Sequence, residues 1–355
     1  MNIAVVIGTR PQFIKLAPFI KEAKTRFNLD VIDTGQHYDD AMSGQFFREL
    51  AIPKPRYSLK VGSGGHAQQT GQMLIKLERI LNHKDHDMVV VFGDTNSTLA
   101  GALTAAKLQI PIAHVEAGAR SFDRTMPEEI NRVVTDVLAD ICFASTERCV
   151  RNLLNEGKRL DQIFMVGDIM IDSLECDQKD RAAGSPLKEY HYSLLTLHRP
   201  SNVDSKERLE RIFDVLRVAN VPMVFPVHPR TRDRMKQFSI DPPPNVKLIQ
   251  PVNHFQMLHM IRHADKVVTD SGGVQKEAYL LSKPCITVRN TTEWMETVDA
   301  GWNVLVDGDP VKFLESILNF TPPKEHPPVL GGPGASSRIC SILDSWAADH
   351  LGAKR

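Results

Sequence analysis

Short apolar runs rich in valine and isoleucine alternate along the chain with longer stretches whose apolar residues recur at helical spacing. The runs at 2–7, 30–33, 88–92, 110–115, 141–144 and 163–166 form one set, and those at 192–197, 223–227, 246–249, 266–269, 284–288 and 303–306 a second. Runs that are apolar at every position belong to strands covered on both faces, and helix-length connections between them predict parallel sheets. Residues 172–186, charged and carrying Gly184 and Pro186, have the composition of a linker, so domains are expected at 1–171 and 187–334. After the Pro- and Gly-rich segment 321–334, Ile339, Ile342, Leu343 and Trp346 recur at helical spacing. Residues 335–355 are therefore expected to form a helix that returns to the first domain. Pro127 reads as the first residue of another helix, with Ile130, Val133, Val134, Val137 and Leu138 as its buried stripe.

Composition narrows the function classes. A chain of 355 residues with 42% hydrophobic side chains is large enough for two ordinary domains. Its 43 Lys+Arg cancel its 43 Asp+Glu, so the basic excess that favours nucleic acid or anionic membrane is missing and a small-molecule partner is favoured. No apolar run approaches bilayer-spanning length, and the start of the chain lacks a signal-peptide layout, which predicts a cytoplasmic protein. The five cysteines form no CxxC and are expected as reduced packing residues.

In doubly wound parallel sheets ligands sit beyond the carboxyl ends of the strands, which directs attention to the turns that follow each run. Gly8-Thr9-Arg10-Pro11 has one glycine and no acidic residue at the distance a nicotinamide site requires; Arg10 and Lys15 suit either an anion or a solvated basic face. Asp270-Ser271-Gly272-Gly273 opens a helix. Ser271 alone would be an ordinary N-cap, but two following residues without side chains favour an anion held by free backbone N–H groups, with Glu277 one turn on, facing solvent or a sugar hydroxyl. Asp94, Glu116 and Glu128 supply carboxylates suited to acid/base work, while Glu129 reads as a helix-dipole partner without catalytic duty. His37, His198 and His228 sit at strand ends, where phosphate binding or proton transfer would suit them. His259 and His263 lack the Glu of a zinc HExxH, and neither GxSxG nor GxxxxGK[ST] occurs; no metal and no cofactor is expected.

Taken together, GTRPQFIKLAP (8–18), TGQHYD (34–39), GDTNSTLAGAL (93–103), HVEAGARS (114–121), MPEEINR (126–132), LTLHRPSNVD (195–204), DSGGVQKEA (270–278) and TTEW (291–294) resemble, in order and nearly end to end, the non-hydrolysing UDP-N-acetylglucosamine (UDP-GlcNAc) 2-epimerases. The resemblance implies a GT-B-like fold of two Rossmann-like domains facing a cleft, a UDP-sugar substrate with UDP, and a homodimer. It puts Asp94, Glu116, Glu128 and His198 in the catalytic group, Ser271, Gly272, Gly273 and Glu277 on diphosphate and ribose, and Arg10 and Lys15 on the first-domain side of the substrate; His37 and His228, from their strand-end positions, and Arg230 and Arg289 are expected as further binding residues. The C2 hydrogen of a pyranose has no adjacent carbonyl, so its removal must be coupled to departure of UDP from C1, giving 2-acetamidoglucal before re-addition. Two departures from the family pattern stand out: Gln12 where many bacterial members have Glu, and Trp294 where they have Arg, a lost phosphate contact for which Arg289 or Arg230 would substitute. Several strings also resemble the branch acting on UDP-2,3-diacetamido-2,3-dideoxyglucuronate. A GT-B glycosyltransferase and a non-catalytic UDP-sugar sensor are the alternatives of other classes.

Overall fold

The apolar runs become the strands of two all-parallel sheets in the computed structural model, which describes residues 1–36, 47, 50, 52–178 and 191–351. In the first sheet β1 (Asn2–Ile7), β2 (Asn28–Asp33), β3 (Tyr57–Ser58), β4 (Met88–Phe92), β5 (Ile112–Ala117), β6 (Ile141–Ala144) and β7 (Ile163–Met165) lie in the order β3-β2-β1-β4-β5-β6-β7. In the second, β8 (Ser193–Thr196), β9 (Met223–Pro226), β10 (Val246–Ile249), β11 (Lys266–Thr269), β12 (Cys285–Thr287) and β13 (Asn303–Leu305) lie in the order β10-β9-β8-β11-β12-β13. Every predicted run is a strand; only the two-residue β3 is too short to show a pattern. Each order reverses once, between β1 and β4 and between β8 and β11. There neighbouring connections leave to opposite faces and open a crevice at the strands' carboxyl ends.

Helices α1 (Arg10–Ala23), α2 (His66–Leu81), α3 (Asn96–Lys107), α4 (Pro127–Leu138), α5 (Glu147–Asn155) and α6 (Ile169–Gln178) accompany the first sheet. The second has α7 (Pro200–Val203), α8 (Lys206–Ala219), α9 (Pro229–Phe238), α10 (His254–His263), α11 (Gly272–Leu280), α12 (Met295–Asp299) and α13 (Pro310–Asn319). By internal packing, one unit comprises Met1–Asp180 with Leu330–Arg355 and the other Arg181–Val329.

The last helix, α14 (Ala335–Leu351), belongs to the first unit. Its Ile339, Cys340 and Leu343 are fully buried in one core with Leu16 and Phe19 of α1 and Phe92 of β4. Asp172 of α6 accepts from the backbone N–H groups of Gly334 and Ser336, both at 2.7 Å, and so supplies the negative charge that a helix N-terminus favours. The charged stretch from Asp172 thus begins inside α6, which runs to Gln178.

Helix α4 corrects one expectation. Ile130 and Val137 of the predicted buried stripe are 49% and 63% exposed, whereas Glu129, Asn131, Arg132, Thr135 and Asp136 are buried. The helix is rolled by the partners of its polar face, since a buried charge left unpaired costs more than a few exposed methyl groups.

Asp30 of β2 shows the same economy of charge. Its carboxylate meets Arg56 at 2.7 Å, Lys84 at 2.9 Å and His86 at 3.1 Å. Burial opposes its ionisation, but hydrogen bonds from Lys84, Arg56 and His86 outweigh that and lower its pKa from 3.8 to about 2. A carboxyl depressed on folding contributes stability that is fully present above its unfolded pKa and is lost as pH falls through the folded one. Asp30→Asn is therefore expected to lower the urea midpoint at pH 7 and to flatten the decline between about pH 4 and about pH 2. Urea titrations across that range check it, and an unchanged midpoint at pH 7 would contradict it.

Candidate active site

The crevice between β1 and β4 starts at Gly8, where an added Cβ would lie 1.9 Å from Thr34 Oγ1 and 2.4 Å from Ser97 Oγ, so no side chain fits. Gln12 ties the two strand ends together. Its Oε1 accepts from the N–H of Gly8 at 2.9 Å and of Thr9 at 3.2 Å, and its Nε2 donates to the Phe92 carbonyl at 2.9 Å and Thr98 Oγ1 at 3.0 Å. An ionised glutamate could accept the first pair but not donate the second, which accounts physically for an amide at this position.

Strand β5 runs two residues beyond the predicted end and carries Glu116 in a bulge, where the register shifts between Val115 and Ala117. Glu116 has φ +73°, a left-handed conformation that costs a non-glycine residue about 1 kcal/mol or more. Its buried carboxylate meets buried Lys15 Nζ at 2.7 Å. The same ammonium lies against Gly93, where a Cβ would be 3.1 Å from it. The next residue, Asp94, is ion-paired with Arg132 of α4, and Asn131 Nδ2 donates to its carbonyl at 2.9 Å. Glu128 stands half-buried in the first turn of α4. Glu129 accepts from Ser121 N at 2.8 Å, Ser121 Oγ at 2.9 Å and Phe122 N at 3.2 Å, so it clasps the loop after β5 instead of merely facing the helix dipole.

Beneath these turns runs a buried chain of alternating charge. His114 Nδ1 lies 2.6 Å from Asp136 Oδ1 and its Nε2 2.7 Å from the Gly93 carbonyl. Asp136 Oδ2 accepts from Gly118 N at 3.0 Å and pairs with Arg120 at 2.6 Å, which also meets Glu156 at 2.6 Å. Burial opposes charge on Asp136, but His114, Arg120 and the Gly118 amide hold its carboxyl below the usual range.

In the second unit the crevice between β8 and β11 is organised by Asp270. This fully buried carboxylate accepts from the N–H of His198 at 3.0 Å, of Arg199 at 2.9 Å and from Asn202 Nδ2 at 3.1 Å, and lies 3.1 Å from His198 Nδ1. Burial works against its ionisation, yet His198 and these donors lower its pKa. The His198 imidazole is thus oriented from behind while its side chain stays 37% exposed. His228 packs 5.6 Å from it and caps α9 by accepting from Arg230 N at 3.2 Å.

Ser271 caps α11, accepting from Val274 N at 3.5 Å, which leaves the first-turn N–H groups at Gly272 and Gly273 directed outward from the helix start. Around Gly272 an added Cβ would find Glu293 Oε2 at 3.4 Å, Trp294 Nε1 at 3.6 Å and Arg289 Nη1 at 4.0 Å. Arg289 is buried against Glu293, at 3.0 Å. Trp294, also buried, faces the Lys276 ammonium 4.1 Å from its ring centroid. Glu277 is buried with its carboxylate 3.5 Å from His254 Nδ1.

Among the expected residues, the structure thus groups Lys15, Asp94 and Glu116 at adjoining turns of the first unit, and His198, Ser271, Gly272, Gly273 and Arg289 about the crevice of the second. Arg10 begins α1, half-buried. Arg230 lies on α9 paired with Asp204, whose carboxyl it holds below the usual range. His37 lies outside the described residues. Arg132, His114, Asp136 and Asn202 were not singled out from the sequence, although all but Asp136 fall within quoted motifs. The described cysteines, Cys142, Cys149, Cys285 and Cys340, are free and buried, and burial pushes the thiols of Cys142, Cys285 and Cys340 up to about 12, unsuited to nucleophilic work. No helix among the described residues is long and apolar enough to cross a membrane.

At Gly273 a Cβ would meet only Ser271 Oγ, at 3.9 Å, so the fold has room for a side chain there. Gly273→Val is expected to fold normally and to weaken UDP binding about tenfold or more by blocking approach to the helix N-terminus. Calorimetry with UDP measures this, and undiminished affinity would remove the helix terminus as the diphosphate site.

The sequence model of a family described as UDP-N-acetylglucosamine 2-epimerase matches residues 20–344. A Methanococcus maripaludis protein named UDP-N-acetylglucosamine 2-epimerase homolog is 50% identical over 355 residues, covering 97% of this chain and 99% of that one. The Pseudomonas aeruginosa UDP-2,3-diacetamido-2,3-dideoxy-D-glucuronate 2-epimerase is 42% identical, with coverage of 97% and 99%. Among solved structures, the Methanocaldococcus jannaschii UDP-GlcNAc 2-epimerase in complex with UDP-GlcNAc and UDP superimposes with a TM-score of 0.89 at 42% identity, over 97% of this chain and 100% of that one.

Proposed function

We propose, from the premise that this chain belongs to the UDP-N-acetylglucosamine 2-epimerase family, that it inverts C2 of UDP-GlcNAc to give UDP-N-acetylmannosamine. The observation that carries this reading is the strained, buried Glu116 held by Lys15 beside the turn of Asp94, a costly arrangement of carboxylates at a strand-end crevice. In the proposed reaction a carboxylate takes the C2 proton while the C1–O bond breaks and UDP leaves, giving 2-acetamidoglucal. UDP then re-adds to C1 as C2 is protonated on the opposite face, so two proton-handling groups are needed; Asp94, Glu116 and Glu128 are the candidates. Diphosphate departure would be stabilised by the α11 N-terminus, where Ser271, Gly272 and Gly273 supply N–H groups and a positive dipole end, with Arg10 as a further cation. His198, oriented by Asp270, and Glu277 complete the proposed set.

The uronate reading draws support from the Pseudomonas relative. Its substrate would add a carboxylate that needs a cation, and the two arginines considered for that task, Arg230 and Arg289, already engage Asp204 and Glu293. The uncharged sugar is therefore the preferred choice. We also propose a homodimer, because the exposed apolar face of α4 through Ile130 and Val137 suits cover by a second copy. The proposed compartment is the cytoplasm.

Incubation with UDP-GlcNAc in D2O, with no acceptor added, is expected to place deuterium at C2 and form the manno epimer, whereas a glycosyltransferase or a sensor would leave C2 untouched. Asp94→Asn, Glu116→Gln and Glu128→Gln are each expected to lower C2 exchange about a hundredfold or more. Near-normal exchange in one of them would release that residue from the role. If only the diacetamido-uronate nucleotide turns over, the choice of sugar fails and the elimination mechanism stands. For assembly, Ile130→Asp with Val137→Asp is expected to halve the mass measured by sedimentation, and an unchanged mass would count against this face as the interface.

A further inference from the structure

Two glycines frame the carboxylates of the first unit. Gly93 immediately precedes Asp94, and Gly118 follows Glu116 by two residues; both have positive φ, at +62° and +79°. The same buried pair of side chains reaches both. His114 Nε2 is 2.7 Å from the Gly93 carbonyl, and Asp136 Oδ2 accepts from the Gly118 N–H at 3.0 Å. The two side chains meet at 2.6 Å between Nδ1 and Oδ1, with both wholly or almost wholly excluded from water.

A carbonyl oxygen only accepts, so the bond from His114 to Gly93 needs a proton on Nε2. Asp136 accepts from Gly118 and pairs with the guanidinium of Arg120 through Oδ2, while its Oδ1 holds the other ring nitrogen. Each member of the pair therefore grips one turn and the other member at once.

We propose that His114 and Asp136, bonded to each other and each to one of the two glycine turns, are positioning residues that set the turn bearing Asp94 against the bulge bearing Glu116. The inference rests on the reading of Asp94 and Glu116 as proton-handling groups. Neither His114 nor Asp136 touches the substrate in this account. They act through backbone: one clamps the carbonyl before one carboxylate, and the other clamps the amide after its neighbour. Helix α4, which carries Asp136, also carries Arg132 against Asp94 and Glu129 against the loop after β5, so a shift of the pair would move several polar contacts together. Misplacement of a reacting group by about 1 Å is enough to cost about a hundredfold in rate, whereas UDP binding, assigned to the second unit, would be spared.

Two measurements test this. In the wild-type protein, long-range 15N spectra of the histidine rings at neutral pH are expected to show a proton on Nε2 of His114, with the signal assigned by its loss in His114→Gln. A bare Nε2 would overturn the proposal, and this reading needs no variant of Asp136 to fold. The second is Asp136→Asn, with kcat counted per UDP-binding molecule so that any unfolded fraction drops out. The expected result is a kcat lower by about tenfold or more with UDP affinity unchanged and KM within about threefold, C2 exchange falling in parallel with turnover. A wild-type kcat per binding site, or a loss confined to KM, would overturn the positioning role. Should Asp94→Asn and Glu116→Gln abolish exchange while Asp136→Asn keeps it, this inference alone fails; should those two keep exchange, the reading beneath it fails instead.

Discussion

A carboxylate removed from water must be met by a cation or by several N–H donors, and the first unit is arranged around meeting that condition repeatedly. Asp30 is met by Arg56, Lys84 and His86; Glu116 by Lys15; Glu129 by Ser121 and Phe122; Asp136 by His114, Arg120 and Gly118. The roll of α4, the bulge in β5 and the course of the loop after it are each fixed by one of these solutions. Breaking a buried pair by removing one partner typically costs about 3–5 kcal/mol, a large share of a domain's net stability. The acidic groups are therefore held in one arrangement.

The second unit meets the same condition with different means. Asp270 is met by the backbone N–H groups of His198 and Arg199 after β8 and by the side chains of Asn202 and His198, and in doing so holds His198 at the rim. The adjoining helix α11 leaves its first N–H groups at glycine positions, so partial positive charge is presented there by backbone. Around it Arg289 is matched with Glu293 and Lys276 with the face of Trp294. The first unit's turns thus gather buried carboxylates, while the helix start at Gly272 and Gly273 in the second presents backbone donors.

The strands were legible because parallel sheets require continuous apolar runs, and no polar residue competes with that signal in β4. The turns were legible because strand ends at a doubly wound sheet are where polar residues gather. What was not legible follows from the same physics. The end of β5 was read two residues short, because Glu116 interrupts an apolar run that the strand continues through as a bulge. Ile130 and Val137 of α4 were read as core because periodicity ranks faces by hydrophobicity, while Arg132 and Asp136 are buried for partners lying far away in sequence. Their spacing, four residues apart on one helix face, was the available signal for that second buried side. Gln12 looked like a lost carboxylate until its hydrogen bonds, made to the turn after β1, the end of β4 and helix α3, showed why an amide is needed.

The return of the chain to its starting unit has a consequence for the order of assembly. Helix α14 fills the core beside α1 with Ile339, Cys340 and Leu343, and its first amides close on Asp172. During synthesis, residues 1–178 emerge long before residues 335–351, with the whole of the second unit translated in between. The unit that starts first must therefore wait on the ribosome with a groove open along α1 and α6, while the contiguous second unit has every residue it needs as soon as it emerges. Domains on a nascent chain ordinarily complete themselves in N-to-C order. Here the thread is drawn through so that the later unit can finish first and the earlier one is sealed last, which makes the helix at 335–351 the piece that closes the first unit.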